Sequence, residues 1–181
     1  MAKLAVTSYG DALFQLAVES SKCSQMLDEV TQLKQILEAN PELADLMANP
    51  RFSKEEHLQV IENVFKGKLS EELYNFLNIL VMKSRYGELD NILEYFISKV
   101  KEYQGIGQAH VKTAIELDAE QKKQIKEKLL STTKYNLIEI EYEVDPSLIG
   151  GMVIRIKDRV VDSSVKSKLE RMSRDLHKIQ I

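Results

Sequence analysis

The sequence predicts a mainly α protein, with an N-terminal bundle of six helices and a small C-terminal α/β domain. Three observations support this fold class. Apolar residues recur every three or four positions through the first hundred residues. After Gly105-Ile-Gly107 this spacing gives way to an alternation of apolar and polar residues. Only 7 Gly and 3 Pro interrupt the 181 residues, which favours long helices.

The first three predicted helices lie before residue 51. The first spans Ala5 to Ser20, and its apolar stripe consists of Tyr9, Ala12, Leu13, Leu16 and Ala17. The second includes Met26 to Leu37 and ends at Asn40-Pro41, because proline disfavours a helical residue before it. A short third helix, Glu42 to Met47, is followed by a second break at Asn49-Pro50.

Three further helices complete the predicted bundle. Ser53-Lys-Glu-Glu56 has the spacing of a capping box, which opens the fourth helix, and Gly67 ends it. Ser70 is expected to cap the fifth helix, Glu71 to Ser84. The sixth begins near Leu89 and runs to the two glycines. Short links and inward-facing stripes together indicate a compact bundle.

The second domain is predicted to contain strand, helix, strand, strand and helix in that order. We place the boundary between residues 105 and 106, so the domains are 1–105 and 106–181, because closely spaced glycines destabilise a helix interior. The segments are a strand through Ala109–Ile115, a helix capped by Asp118, strands Ile138–Val144 and Met152–Ile156, a turn or short hairpin at Asp158–Asp162, and a helix from Ser163 or Ser164 to Ile179. The last helix has an apolar stripe, which we expect to pack on the sheet: Val165, Leu169, Met172, Leu176 and Ile179.

Charge and composition exclude several classes of protein. A net charge of −3 argues against a protein that works by neutralising phosphates, so no nucleic-acid partner is expected. The single cysteine, Cys23, cannot form an internal disulfide, which indicates a reducing compartment. The N-terminus resembles neither a signal peptide nor a transit peptide, and no apolar run reaches the length of a membrane span. We therefore expect a cytoplasmic protein.

The sequence contains no arrangement typical of an active site. His57, His110 and His177 are far apart, and none has a partner at metal-ligand spacing. Gly150-Gly151 runs into a strand, whereas the glycines of a phosphate-binding loop run into a helix. We expect no catalytic residue, no cofactor and no metal.

Four segments stand out along the chain, in the order Tyr9–Phe14, Phe76–Val81, Ala109–Ala114 and Val144–Ile156. Together and in this order they resemble the motifs of one known family, the delta subunit of F-type ATP synthases, whose mitochondrial equivalent is the oligomycin-sensitivity-conferring protein. Gly10 stands where the family usually has Ala. The residues that resemble the family's C-terminal signature are Asp145, Gly150, Gly151, Arg155, Asp162, Ser164 and Leu169.

The resemblance implies a non-catalytic subunit of the peripheral stalk, which links the catalytic head to the b subunits and couples proton flow to ATP synthesis. The N-terminal helix of an alpha subunit is expected to bind between the first and fifth helices, and the b subunit to bind the C-terminal domain. The residues implied for the alpha-subunit site are Tyr9, Ala12, Leu13, Leu16, Leu73, Leu77, Asn78, Val81 and Met82. For Leu13, Leu77 and Val81 the alternative is that they fill the bundle core.

The resemblance also implies the setting of the protein. We expect one copy in each complex, a monomer when alone, and a peripheral position at the cytoplasmic face of a bacterial plasma membrane. Contact with the membrane is expected only through the complex. The alternative is a helical adaptor or an RNA-binding module, which would need exposed aromatic and basic residues on its α/β half.

Overall fold

The computed structural model describes residues 2–48 and 52–179. Within these ranges the mainly α fold with a small sheet is confirmed. The chain forms two compact units, the first ending at Val100 and the second beginning at Lys101. The break predicted at Asn49-Pro50 and the side chain of Ile179 lie outside the described residues.

The first unit contains six α-helices among its described residues. They are α1 Ala2–Glu19, α2 Cys23–Ala39, α3 Pro41–Ala48, α4 Lys54–Phe65, α5 Glu71–Met82 and α6 Leu89–Tyr103, with a 3-10 turn at Tyr86–Glu88 before α6. Ser53 and Glu56 form the predicted capping box at the start of α4. Ser70 lies at the start of α5, but its hydroxyl makes no capping hydrogen bond. A carboxylate oxygen of Glu29 instead accepts a hydrogen bond from the Ser70 backbone N–H at 3.3 Å.

The core of the first unit is continuous and apolar. Its largest fully buried side chains come from α1, α2, α4, α5 and α6: Leu13, Met26, Val30, Leu33, Ile61, Leu73, Leu77, Leu80, Ile92, Leu93, Phe96 and Val100. A Cβ atom on Gly10 would lie 2.4 Å from the Tyr95 ring, so glycine lets α1 approach this ring closely. The Tyr95 hydroxyl donates a hydrogen bond to the Asp11 carboxylate at 2.9 Å, and Lys99 forms an ion pair with the same carboxylate.

The second unit contains a four-stranded sheet and two helices. Its elements are β1 Ile106–Thr113, α7 Ala119–Thr132, β2 Leu137–Val144, β3 Met152–Ile156, β4 Arg159–Asp162 and α8 Val165–Ile179. The strand order is β2-β1-β3-β4; β1 and β2 are parallel, and the other pairs are antiparallel. Of the two alternatives predicted for residues 158–162, the structure has the hairpin. The first strand starts and ends earlier than predicted, and Ile115 is 72% exposed beyond its end.

Helix α7 covers one face of this sheet. Asp118 caps its start, as predicted, and forms a capping box with Gln121. Leu129 of α7 packs with Ala109 and Ile138 in a small core, against which Ile125 and Ile154 are partly buried. The opposite face carries polar side chains, including an ion pair between Lys112 of β1 and Glu143 of β2 at 2.9 Å. The register therefore separates an apolar α7 side from a charged open side.

The prediction that the last helix packs its apolar stripe on the sheet is wrong. Leu169, Met172 and Leu176 are each more than half exposed, and Val165 is 36% exposed. Helix α8 instead contacts the 3-10 turn Pro146–Leu148. The 3.6-residue period reveals that one face of the helix is apolar, but it does not specify what covers that face.

Candidate functional site

Helices α1 and α5 of the first unit, between which the alpha-subunit site is predicted, contact each other through side chains. The rings of Tyr9 in α1 and Phe76 in α5 meet edge to face, with centroids 6.5 Å apart. Lys22, just after α1, forms an ion pair with Glu72 of α5 at 2.7 Å. The ring contact therefore joins the middle of α1 to α5, and the ion pair joins the link between α1 and α2 to the first turn of α5.

The nine residues predicted for this site divide into two groups. Leu13, Leu73, Leu77 and Val81 are at most 4% exposed, so they belong to the bundle core and not to its surface. This corrects the prediction that they line an open groove. Ala12, Leu16 and Met82 are exposed, and Tyr9 and Asn78 are half-buried. These five remain the candidate contact residues.

Two further exposed apolar residues extend this surface and were missed by the sequence analysis. Leu4 of α1 is 75% exposed, and Ile79 of α5 is 46% exposed. Leu4 lies eight residues before Ala12, and Ile79 lies three before Met82, so helical spacing puts each on the outer side of its helix. The signal was available in the sequence, because both are large apolar residues off the buried stripe. The α1 and α5 surface is defined here as Leu4, Tyr9, Ala12, Leu16, Asn78, Ile79 and Met82.

In the second unit, most residues of the family-like signature meet at the start of α8. Ser164 is completely buried, and its hydroxyl accepts a hydrogen bond from the Ser167 N–H at 3.2 Å, which caps the helix. Asp162 accepts hydrogen bonds from the Ser164 N–H at 2.8 Å and from the Ser167 hydroxyl at 2.6 Å. These bonds hold the pKa of the Asp162 carboxyl below its usual range, with the Ser167 hydroxyl as the main cause.

Gly150 and Gly151 allow the backbone before β3 to pass close to the start of α8. The carbonyl oxygen of Gly150 accepts a hydrogen bond from the Val165 N–H at 2.9 Å. Gly151 has a φ of +76°, and a Cβ atom there would lie 2.5 Å from the Ser163 carbonyl oxygen. Only glycine satisfies both conditions at this position. Gly151 thus serves a backbone requirement.

The other three signature residues lie outside this cluster. Asp145 accepts a hydrogen bond from the Ser147 N–H at 3.0 Å and so caps the 3-10 turn that α8 contacts. Leu169 is part of the exposed stripe of α8. Arg155 is exposed on β3 and donates a hydrogen bond to the Lys157 carbonyl at 3.3 Å. The signature is therefore largely an anchor for α8.

The described residues contain no group of histidine, cysteine or acidic side chains suited to a metal ion. His57 lies near the Leu46 carbonyl, whereas the ring nitrogen of His177 is 2.8 Å from the Ser173 carbonyl oxygen. Among residues 2–48 and 52–179, no helix has both the length and the apolar character needed to span a bilayer.

Comparisons with known proteins agree along nearly the whole chain. A family model described as ATP synthase delta (OSCP) subunit matches residues 6–176. ATP synthase subunit delta of Lachnoclostridium phytofermentans is 46% identical over 181 residues, which cover 100% of both chains. The same subunit of Prochlorococcus marinus is 33% identical over 172 residues, covering 95% of this chain and 96% of that one.

A solved structure shares the fold. A chain of the Toxoplasma gondii mitochondrial ATP synthase hexamer superposes with a TM-score of 0.79, covering 94% of this chain and 96% of that chain, at 18% identity.

Proposed function

Since this chain belongs to the ATP synthase delta (OSCP) subunit family, we propose that it joins the catalytic head to the peripheral stalk by binding one partner with each of its two compact units. The chain is thus a structural subunit of the F-type ATP synthase peripheral stalk. One observation carries the proposal: each unit has an uncovered apolar surface, on α1 and α5 in the first and on α8 in the second.

The first partner in this proposal is the N-terminal helix of an alpha subunit, which binds the α1 and α5 surface. Exposed apolar side chains on two neighbouring helices suit an amphipathic helix that lays its apolar face between them. Ala12 is small enough to let a second helix approach closely, and Met82 can adapt its shape to the ligand. Asn78, which is half-buried, can donate or accept hydrogen bonds at the edge of such a contact.

The substitution Ala12→Asp tests this surface. It places a charge in the middle of the proposed contact, and we expect it to weaken binding of an alpha-subunit N-terminal peptide by about 2 kcal/mol or more, roughly 30-fold in Kd. Isothermal titration calorimetry measures the affinity, and circular dichroism establishes that the bundle is folded. Ala39→Asp, an equivalent change at an exposed position of α2, is the control and should leave the affinity unchanged. A folded Ala12→Asp variant with unaltered affinity would place the peptide elsewhere.

The second partner is the b subunit, which binds the α/β unit. Support comes from the apolar stripe of α8, which no described residue covers although its first turn is firmly anchored. Binding one partner with each unit raises the effective concentration of the second contact once the first has formed. Modest affinities can then give a durable connection under torque.

The proposal includes a non-catalytic role and a cellular position. The subunit contributes no residue to ATP synthesis itself and couples proton flow to it by preventing the head from turning with the rotor. It is present once in each complex and is monomeric when alone. The bacterial origin of the relatives supports a peripheral position at the cytoplasmic face of a bacterial plasma membrane.

A further inference from the structure

The helical layer on the α7 side of the sheet is incomplete. An open groove with a volume of about 460 Å³ runs between α7 and β3, and its apolar lining includes Leu117, Ile125, Met152 and Ile154. Val161 of β4 is the register partner of Ile154, so it faces the same side, and it is 63% exposed. Among the described residues, this face is therefore only partly covered at β3 and is exposed at Val161 of β4.

The groove adjoins the start of α8. The carbonyl oxygen of Met152, which lines the groove, accepts hydrogen bonds from the N–H and the hydroxyl of Ser163 at 3.0 and 2.9 Å. Two residues later α8 begins, with its own apolar stripe exposed. The second unit therefore has two uncovered apolar surfaces, one in the groove and one on α8, and they are linked through the same short segment of backbone.

Basic residues predominate on the two helices beside these surfaces. Helix α7 carries four lysines and two glutamates, and α8 carries five lysines or arginines and two acidic residues. Lys128 lies on the wall of the groove itself. By contrast, Glu139, Glu141 and Glu143 of β2 lie on the opposite face of the sheet, because they alternate with Ile138 of the core.

We propose that one amphipathic helix with acidic flanks completes this layer. Its apolar side lies on Met152, Ile154 and Val161 in the groove between α7 and β3, and its acidic side chains face Lys128 and the basic residues of α8. The inference rests on the proposed contact with the b subunit. It further specifies which face of the α/β unit binds the b helix, and that this helix is acidic. Charge complementarity makes an acidic helix the matching occupant.

Two neighbouring valines of β4 provide a matched test. Val161 and Val160 are similarly exposed, at 63% and 57%, but successive residues of a strand point to opposite faces. Binding of a soluble b-subunit fragment from the same organism to the full chain is measured by calorimetry. We expect Val161→Asp to weaken binding by about tenfold or more and Val160→Asp to change it by less than about twofold. Equal effects of the two variants, or no effect of Val161→Asp, overturn the inference.

A labelling experiment keeps the test independent of any loss of folding in these variants. In a Cys23→Ser background, Val161→Cys and Val160→Cys are each modified with a maleimide. The b fragment should slow modification at position 161 and not at position 160, and the reverse pattern contradicts the proposal. Binding should also weaken as NaCl is raised from about 50 mM to about 500 mM, and insensitivity to salt rejects the acidic flanks.

Different results would contradict the proposed function and the location of the b helix in the groove. If the unmodified chain does not bind the b fragment, the proposed function is wrong and this inference falls with it. If the chain binds the fragment and Val161→Asp binds it equally well, only the location in the groove is wrong.

Discussion

At the scale of single residues, Tyr86 has an unfavourable environment within the first unit. Its hydroxyl is buried and has no hydrogen-bond partner among the described residues. Burial raises the pKa of this phenol to about 12, because the charged form is poorly solvated there. An unpaired buried hydroxyl costs folding free energy, so removal of the oxygen is expected to stabilise the protein.

We predict that Tyr86→Phe raises the free energy of unfolding by about 1 kcal/mol at neutral pH. An unfolded tyrosine ionises near pH 10, and folded Tyr86 near pH 12. Below about pH 10 the phenol is neutral in both states and its ionisation does not affect stability, whereas between about pH 10 and 12 only the unfolded phenol ionises, so the parent loses stability. The variant should therefore lose less stability than the parent in this range. Urea denaturation across the pH range measures both effects, with Tyr103→Phe, an exposed tyrosine, as control. A less stable Tyr86→Phe variant would mean that the hydroxyl has a stabilising partner.

Also at this scale, two neighbouring residues of α1 differ in burial. Ala12 is exposed and Leu13 is buried, although both belong to the apolar stripe predicted for the first helix. A broad stripe contains more apolar positions than the core covers. The sequence therefore identified the helix and its apolar arc, and packing against α5 and α6 selected the members that are buried.

At the scale of elements, α8 depends on its first turn, because its stripe contributes little burial. The Asp162 carboxylate is the centre of that anchor, and its pKa is lowered by the Ser167 hydroxyl and the Ser164 N–H. A carboxyl group with a lowered folded-state pKa contributes stability above its unfolded pKa of about 3.9, and this contribution is lost as the pH falls through the folded-state value. The anchor should thus be intact at neutral pH and weaken in acid.

We predict that Asp162→Asn speeds amide hydrogen exchange in α8 about fivefold at neutral pH, comparable with the loss of one helix cap. Exchange monitored by mass spectrometry on a peptide that covers residues 165–177 measures the change. Asp158→Asn, in the exposed turn between β3 and β4, is the control and should leave exchange in α8 unchanged. Equal protection in the parent and the Asp162→Asn variant would show that α8 is held by other contacts.

At the scale of the whole molecule, the division into two domains remains a prediction that can be tested with a fragment. All the buried residues of the first core lie between Leu13 and Val100, so this core requires no residue of the second unit. We expect the fragment 1–104 to fold alone as a helical bundle, to bind the alpha-subunit peptide and not to bind the b fragment. Circular dichroism and calorimetry measure these properties. A random-coil spectrum contradicts the domain division, and retained b binding contradicts the assignment of partners.

The sequence was sufficient to predict most of the helices and strands, the change from a helical bundle to an α/β domain, and the resemblance to the family. These depend on local information: the spacing of apolar residues, capping residues, and closely spaced glycines such as Gly105 and Gly107. Tertiary packing was needed to show that Leu13, Leu77 and Val81 are core, that β1 pairs with both β2 and β3, and that the stripe of α8 is left uncovered by the described residues. Periodicity identifies an apolar face, whereas the identity of its neighbour depends on how distant elements pack.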